Sequence, residues 1–229
     1  MAGFADAPVI MTASKSLSSQ AKSAIQMLQP KRIVICGGPK AVSAKVESEA
    51  KQAAGAGAVV VRLQGSTADE TAVDVYRRGY AAATGDGYEE LSRPAQTAAA
   101  GSANAGLNSA NIDLGLSGAA NTNLALGTAN ADLGLNGTAD DSYAQAAKVW
   151  SNTAFICTDN GYWDALSVAS VAYAKHSPIF LTRNGGAAVS QSTIQALKGH
   201  FKHIYVIGGS AAVSDKVIAQ VLAAGVKVE

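Results

Sequence analysis

Ile33-Val-Ile-Cys-Gly-Gly-Pro-Lys-Ala-Val-Ser-Ala-Lys-Val46 and Tyr205-Val-Ile-Gly-Gly-Ser-Ala-Ala-Val-Ser-Asp-Lys-Val217 nearly repeat each other. Each reads as a short apolar run ending in Gly-Gly, then a turn, then Ala-Val-Ser opening an amphipathic segment. A buried strand, a glycine turn with no Cβ in the way, and a serine capping the next helix produce this pattern. Pro8-Val-Ile-Met-Thr12 likewise matches Pro178-Ile-Phe-Leu-Thr182 at an offset of 170, and Gly37 matches Gly208 at 171. Two offsets that agree within one residue indicate a duplication.

Working outward, short apolar runs alternate with helical patterns. Pro8–Thr12 reads as a buried strand. Ser18 or Ser19 caps a helix to about Gln29 that turns Ala21, Ala24, Ile25 and Leu28 to one side. Ile33–Cys36 is a strand, 42–54 a helix ended by Gly55-Ala-Gly57, and Val59–Leu63 a strand. Ser66 or Thr67 opens a helix carrying Ala68, Thr71, Ala72, Val75 and Tyr76. In the last third, strands are expected at 153–158, 178–182, 204–207 and 226–229. Helices are expected at 163–175, with Leu166, Ala169, Ser170 and Tyr173 facing inward, at 190–201 and at 213–224. Strands alternating with helices across short connections define the fold class: α/β, as tandem small modules with parallel sheets flanked by helices.

The middle departs from this pattern. Between Pro94 and Ala147 there is no Lys or Arg. The stretch is rich in Ala, Asn, Gly and Leu, and a small repeat begins at Ala110, Ala120 and Ala129, each time with a Leu-x-Leu core. It reads either as a ladder of short extended segments joined by turns or as a low-complexity spacer. Gly65-Ser-Thr-Ala-Asp-Glu-Thr-Ala72 and Thr84–Ser92 are similar to Gly137-Thr-Ala-Asp-Asp-Ser-Tyr-Ala144 and Thr158–Ser167. Three copies are therefore expected: a truncated one over 1–64, a degenerate one over 65–136 and a complete one over 137–229.

Composition narrows the function classes. A chain of 229 residues can bury a core as one large domain or two to three small ones. A formal net charge of +1 gives no reason to expect nucleic acid or an acidic membrane surface as partner. No run reaches the ~18 apolar residues of a membrane span. Met1-Ala-Gly-Phe-Ala-Asp6 lacks the basic and apolar regions of a signal peptide, although a mature or excised piece of a secreted protein would read the same way. Cys36 and Cys157 lie in strand-like runs as small buried hydrophobes, and could pair only if their strands are neighbours. No metal-ligand spacing, catalytic triad, paired carboxylates or cofactor fingerprint is present.

The complete copy resembles the cell wall binding repeat 2 family of Gram-positive surface proteins. The resemblance rests on Arg62-Leu-x-Gly-x-x-x-x-Glu70-Thr-Ala-Val73, Asn152-Thr-Ala-Phe-Ile-Cys-Thr158, Gly161-Tyr-Trp-Asp-Ala-Leu-Ser167, Ser177-Pro-Ile-Phe-Leu-Thr182 and Val206-Ile-Gly-Gly-x-x-Ala-Val-Ser214. It implies a secreted, non-enzymatic module at the cell surface that attaches non-covalently to an anionic secondary polymer of the wall. It also implies modules packed in threes, and a Pro-Ile-Leu-Leu motif in packing and polymer contact. That motif appears here as Pro178-Ile179-Phe180-Leu181 and as Pro8-Val-Ile-Met11. The basic and aromatic residues that precede Thr-Ala in the family's Gly-x-x-Arg-Tyr-x-Thr-Ala motif are absent at 68–69.

Three groups are candidate contacts. Gly37-Gly38 and Gly208-Gly209 stand where strand-to-helix turns capture anions in many α/β proteins, though they equally suit a tight turn. Lys175, Arg183, Lys198 and Lys202, with His176, His200 and His203, form a positive rim suited to an anionic polymer. Tyr162, Trp163 and Asp164, with Asp159, lie at the carboxyl end of a strand, where α/β sheets bind ligands. An aromatic pair beside acids suits sugar stacking and inter-module packing alike. Two rival functions remain at this stage: a structural or adhesive surface module without polymer binding, and a phosphate- or nucleotide-binding α/β enzyme.

Overall fold

In the computed structural model, residues 5–84, 150–198 and 200–229 are described. The Leu-x-Leu repeats, Thr84–Ser92 beyond its first residue, and most of the expected degenerate copy lie outside them. Helices are α1 (Ser19–Leu28), α2 (Ala44–Ala54), α3 (Ala68–Thr84), α4 (Trp163–Ala174), α5 (Gln191–Leu197) and α6 (Asp215–Ala223). Strands are β1 (Arg32–Cys36), β2 (Val59–Leu63), β3 (Thr153–Cys157), β4 (Ile179–Leu181), β5 (His203–Ile207) and β6 (Lys227–Val228). Among the described residues, all pairs between these strands are parallel. β1 and β2 form one sheet, Arg32 opposite Val59 through Cys36 opposite Leu63. The second sheet has the order β4-β3-β5-β6.

The duplication is preserved in three dimensions. The Ser43 N–H donates to the Ser14 carbonyl at 2.9 Å, and the Ser214 N–H to that of Gly186 at 2.9 Å. The Leu17 N–H donates to Glu49 Oε2 at 2.9 Å, and the Val189 N–H to Gln220 Oε1 at 3.4 Å. Ser18 and Ser190 cap α1 and α5 by accepting from Ala21 and Thr193, each at 3.1 Å. Residues at a spacing of 171 or 172 thus make the same contacts. Serine is suited to the cap because its hydroxyl satisfies an N–H that the helix leaves open.

One expected strand is missing. Pro8–Thr12 pairs with no strand among the described residues, and Val9 and Met11 are 72% and 82% exposed. Its counterpart β4 is paired to β3, Phe155 opposite Ile179. The apolar run is similar in both copies, but among the described residues only the second has a neighbouring strand to bond it.

α3 joins the two sheets. Val75 packs with Val34, Val59, Val61 and Leu63 of the β1–β2 sheet. Val73 and Tyr76 enter the larger core, with Trp150, Ile156, Phe180, Leu197, Phe201, Ile204 and Val217. Tyr76 lies 5.4 Å from Phe180 and 5.4 Å from Phe201, ring centre to ring centre. Such pairs contribute about 0.5–1.5 kcal/mol each beyond their burial. Tyr76, from the span 65–136, and Phe180, from 137–229, share one core.

The inward face of α4 also differs from expectation. Val168 and Ala172 are buried, while Leu166 and Tyr173 are 63% and 61% exposed. The helix is apolar nearly all round, so spacing alone does not choose its buried side. Cys157 is fully buried, but Cys36 is exposed, and both are free thiols in separate sheets.

Candidate functional site at the two rims of the C-terminal sheet

Parallel strands place all their carboxyl ends at one rim and all their amino ends at the other. The candidate residues divide between these rims.

The carboxyl rim is held together by Asp159 and Arg183. Asp159 Oδ1 accepts from the Thr182 hydroxyl at 3.1 Å and from the Gly185 and Gly186 N–H groups at 2.9 and 3.3 Å. The turn after β4 is thereby tied to the end of β3. Arg183 Nε donates to Asp69 Oδ2 at 2.8 Å, and its Nη2 to Glu70 and the Thr67 hydroxyl. Burial works against the guanidinium charge, but the hydrogen bonds and negative charges of Asp69 and Glu70 outweigh it and raise the Arg183 pKa. Arg183 is therefore engaged in docking the start of α3.

Gly208 sits beside Asp164: a Cβ on Gly208 would lie 3.1 Å from Asp164 Oδ2 and 2.9 Å from the Ala212 Cβ. Gly208 and Gly37 have φ of +112° and +127°, which glycine adopts freely, whereas Gly209 has open space around it. The N–H groups of the turns that lead into the next helices are occupied. Those of Ala212 and Val213 donate to the Gly209 carbonyl, as those of Ala41 and Val42 do to Gly38. With Asp164 beside it, the Gly208-Gly209 turn has the geometry of a structural corner. Tyr162 and Trp163 are 61% and 68% exposed, with ring centres 4.3 Å apart. They offer an open aromatic surface next to Asp164.

The Pro178–Leu181 stretch forms β4. Pro178 and Phe180 are buried, with Ile179 and Leu181 half-buried, so Phe180 contributes to the core and has no face toward a polymer. Pro8 is exposed.

The amino rim gathers the cations. Main-chain bonds from Ser151 to His176, from Lys202 to Asn152 and from Lys227 to Lys202 stitch it together, at 2.8, 2.7 and 3.1 Å. His200 Nε2 lies 3.2 Å from the Trp150 carbonyl oxygen, and His203 Nδ1 lies 2.9 Å from Glu229 Oε1. Lys175 and Lys198 follow the carboxyl ends of α4 and α5, where a cation complements the helix dipole. Lys175, Lys198, Lys202 and Lys227 are exposed, and among the described residues no ion pair engages them. Lys227 was not among the residues expected here; its place beside Lys202 follows from the β5–β6 pairing. Tyr162-Trp163 and Lys175 stand at opposite ends of the 12-residue α4, about 18 Å apart by helical rise.

Among the described residues no group of three or more His, Cys, Asp or Glu side chains could hold a metal ion. Within the same residues, no helix is long and apolar enough to cross a membrane.

Parallel α/β sheets with duplicated strand–Gly-Gly–helix units define a repeat-built α/β protein. Residues 137–218 match the family model for cell wall binding domain 2 (CWB2). The fold is similar to that of Cwp6 from Clostridium difficile, with a TM-score of 0.59 and 20% identity over 97% of this chain and 24% of that one. It is similar also to Cwp8 from Clostridium difficile, with a TM-score of 0.57 and 20% identity over 99% of this chain and 28% of that one. The chain thus spans about a quarter of the length of either structure. Comparison with curated proteins gave no match.

Proposed function

We propose that the chain is a non-catalytic attachment module, which holds a surface protein to the bacterial cell wall through an anionic wall polymer. The match of 137–218 to CWB2 carries the reading. The amino rim supports the polymer's charge: Lys175, Lys198, Lys202 and Lys227 stand at one end of the sheet. On this reading the lysine rim is the principal contact. Arg183 is occupied by Asp69 and Glu70, and Asp164 disfavours an anion at Gly208-Gly209. Tyr162 and Trp163 are assigned to stacking on sugar rings or on another module. Packing in threes around a common axis fits α4, whose outward side exposes Leu166, Val171 and Tyr173.

Each exposed lysine contact is weak and screened by salt, so affinity comes from several acting together. The test is retention on purified cell walls before and after chemical removal of the anionic polymer. Loss of retention on stripped walls and at high salt is expected. Retention that ignores both would overturn the reading.

A further inference from the structure

We propose that the carboxyl rim carries a site of covalent modification, Asn160-Gly161, which deamidates through a succinimide. Its neighbour in space, Asn184-Gly185, is held unreactive by the bonds of its turn. Asn-Gly occurs three times in the chain, at 136–137, 160–161 and 184–185, and the first lies outside the described residues. The other two stand together: a Cβ on Gly185 would lie 3.8 Å from the Asn160 Cβ. Asn160, Gly161, Asn184 and Gly185 are all exposed, so solvent reaches the two pairs alike. What separates them is how each backbone is held.

The reaction is intramolecular. The Gly161 amide nitrogen gives its proton to solvent base and attacks Cγ of Asn160. The N–Cγ bond forms, the Cγ–Nδ2 bond breaks, and Nδ2 leaves as ammonia. Water then opens the five-membered succinimide at either carbonyl, leaving aspartate or isoaspartate. Glycine favours ring closure because no Cβ crowds the attacking nitrogen. Closure also needs rotation about the Asn Cα–C bond, and a nitrogen not engaged elsewhere.

At 160–161 both needs are met. The Asn160 N–H donates to the Thr158 hydroxyl at 3.0 Å, a bond on the other side of Cα that leaves the rotation open. Among the described residues, neither the Asn160 side chain nor the Gly161 N–H has a hydrogen-bond partner. At 184–185 neither need is met. The Gly185 N–H donates to Asp159 Oδ1 at 2.9 Å, and the Gly186 N–H to the same oxygen at 3.3 Å. Asn184 has a φ of +55°, the left-handed region, where a ψ of about +30 to +60° turns the next nitrogen away from Cβ. The turn is closed on both sides: the Arg183 N–H donates to the Ala188 carbonyl at 2.6 Å, and the Gly186 carbonyl accepts from Ser214 at 2.9 Å. Ring closure at Asn184 would have to break the Asp159 bond and reopen this turn. Deamidation at Asn160 adds a carboxylate next to Asp159 and close in sequence to Tyr162 and Trp163, and isoaspartate lengthens the main chain ahead of α4 by one atom. This inference is independent of polymer binding.

The two pairs serve as each other's control. The full chain is incubated at mildly alkaline pH, once folded and once in guanidinium chloride. Proteolysis and mass spectrometry then follow the asparagine-to-aspartate mass change at each position. In the folded chain, Asn160 is expected to deamidate at least tenfold faster than Asn184, a barrier difference of about 1.4 kcal/mol. In guanidinium chloride the two rates should come together, because both are Asn-Gly. Equal rates in the folded chain, or a faster Asn184, would overturn the proposal. So would an Asn160 that stays intact in the folded chain while it reacts in denaturant. A preference for Asn160 that persists unchanged in denaturant would also overturn it, since it would come from the sequence and not from the fold.

Discussion

The indole N–H of Trp150 donates to the main-chain carbonyl of Tyr76 at 3.0 Å, across 74 residues of sequence. The bond is buried and joins α3 to the start of the C-terminal sheet, with the two rings 6.1 Å apart. Trp150→Phe keeps most of the ring and removes the donor. The Tyr76 carbonyl lies within the α3 ladder, so loss of this one hydrogen bond should cost about 0.5–1.5 kcal/mol. Tyr76→Ala, which also opens a cavity, should cost about 3–5 kcal/mol. Urea denaturation of the full chain measures both, and a Trp150→Phe variant as stable as the parent would contradict this role for α3.

Arg183 makes a second tie between the same parts. Asp69 is 2% exposed, so Arg183→Gln leaves a buried carboxylate with no cation. Removing one partner of such a pair costs about 3–5 kcal/mol, and the solvent access of Arg183 places the expected loss at the low end. Asp69→Asn introduced with Arg183→Gln should recover part of the loss, because it removes the stranded charge. A double-mutant cycle without coupling would show that the pair does not act as a unit.

The glycines of the carboxyl rim should differ in their tolerance of alanine. A Cβ on Gly186 would lie 1.7 Å from the Ala212 carbonyl oxygen, at a φ of +91°. Gly186→Ala should therefore cost about 3 kcal/mol or more, from backbone strain plus displacement of the turn. Gly208→Ala should be intermediate, and Gly209→Ala should stay within about 0.5 kcal/mol of the parent. Thermal melting of the three variants ranks them directly.

Burial pushes the Cys157 thiol up to about 12 from an ordinary value of 9.0. The unfolded thiol ionises first as pH rises, so the stabilisation is fully present below about 9 and is lost progressively toward 12. Cys157→Ala should flatten this alkaline decline while lowering stability at neutral pH through the lost packing. A thiol reagent should label Cys36 in the folded protein and Cys157 only on unfolding. Stability curves that fall identically for parent and variant between pH 9 and 12 would rule out this linkage.

Much of the fold was legible because strand-to-helix units announce themselves locally. Ser18, Ser43 and Ser190 cap where a hydroxyl before an amphipathic run is expected to cap. The failures all depend on partners distant in sequence. Pro8–Thr12 has the apolar pattern of a strand, but a strand requires a neighbour. Val168 and Ala172 face inward on a helix whose every side is apolar. The site was legible as residue types but not as neighbours. Arg183 read as a free cation because Asp69 and Glu70 lie 114 and 113 residues away. Gly185 and Gly186 matter through their place against Asp159 and Ala212, which no local pattern shows.

Polymer attachment through the amino rim is tested most directly by the triple variant K175Q/K198Q/K202Q in a retention assay on native cell walls. These lysines are exposed, so the fold should be unchanged, which thermal melting verifies. At physiological salt, where the screening length is about 8 Å, the variant should lose most of its retention; near 1 M salt, where that length is about 3 Å, parent and variant should converge. The double variant Y162A/W163A, altered at the opposite rim, should keep the salt dependence of the parent. Undiminished retention of the folded triple variant at physiological salt would contradict the account.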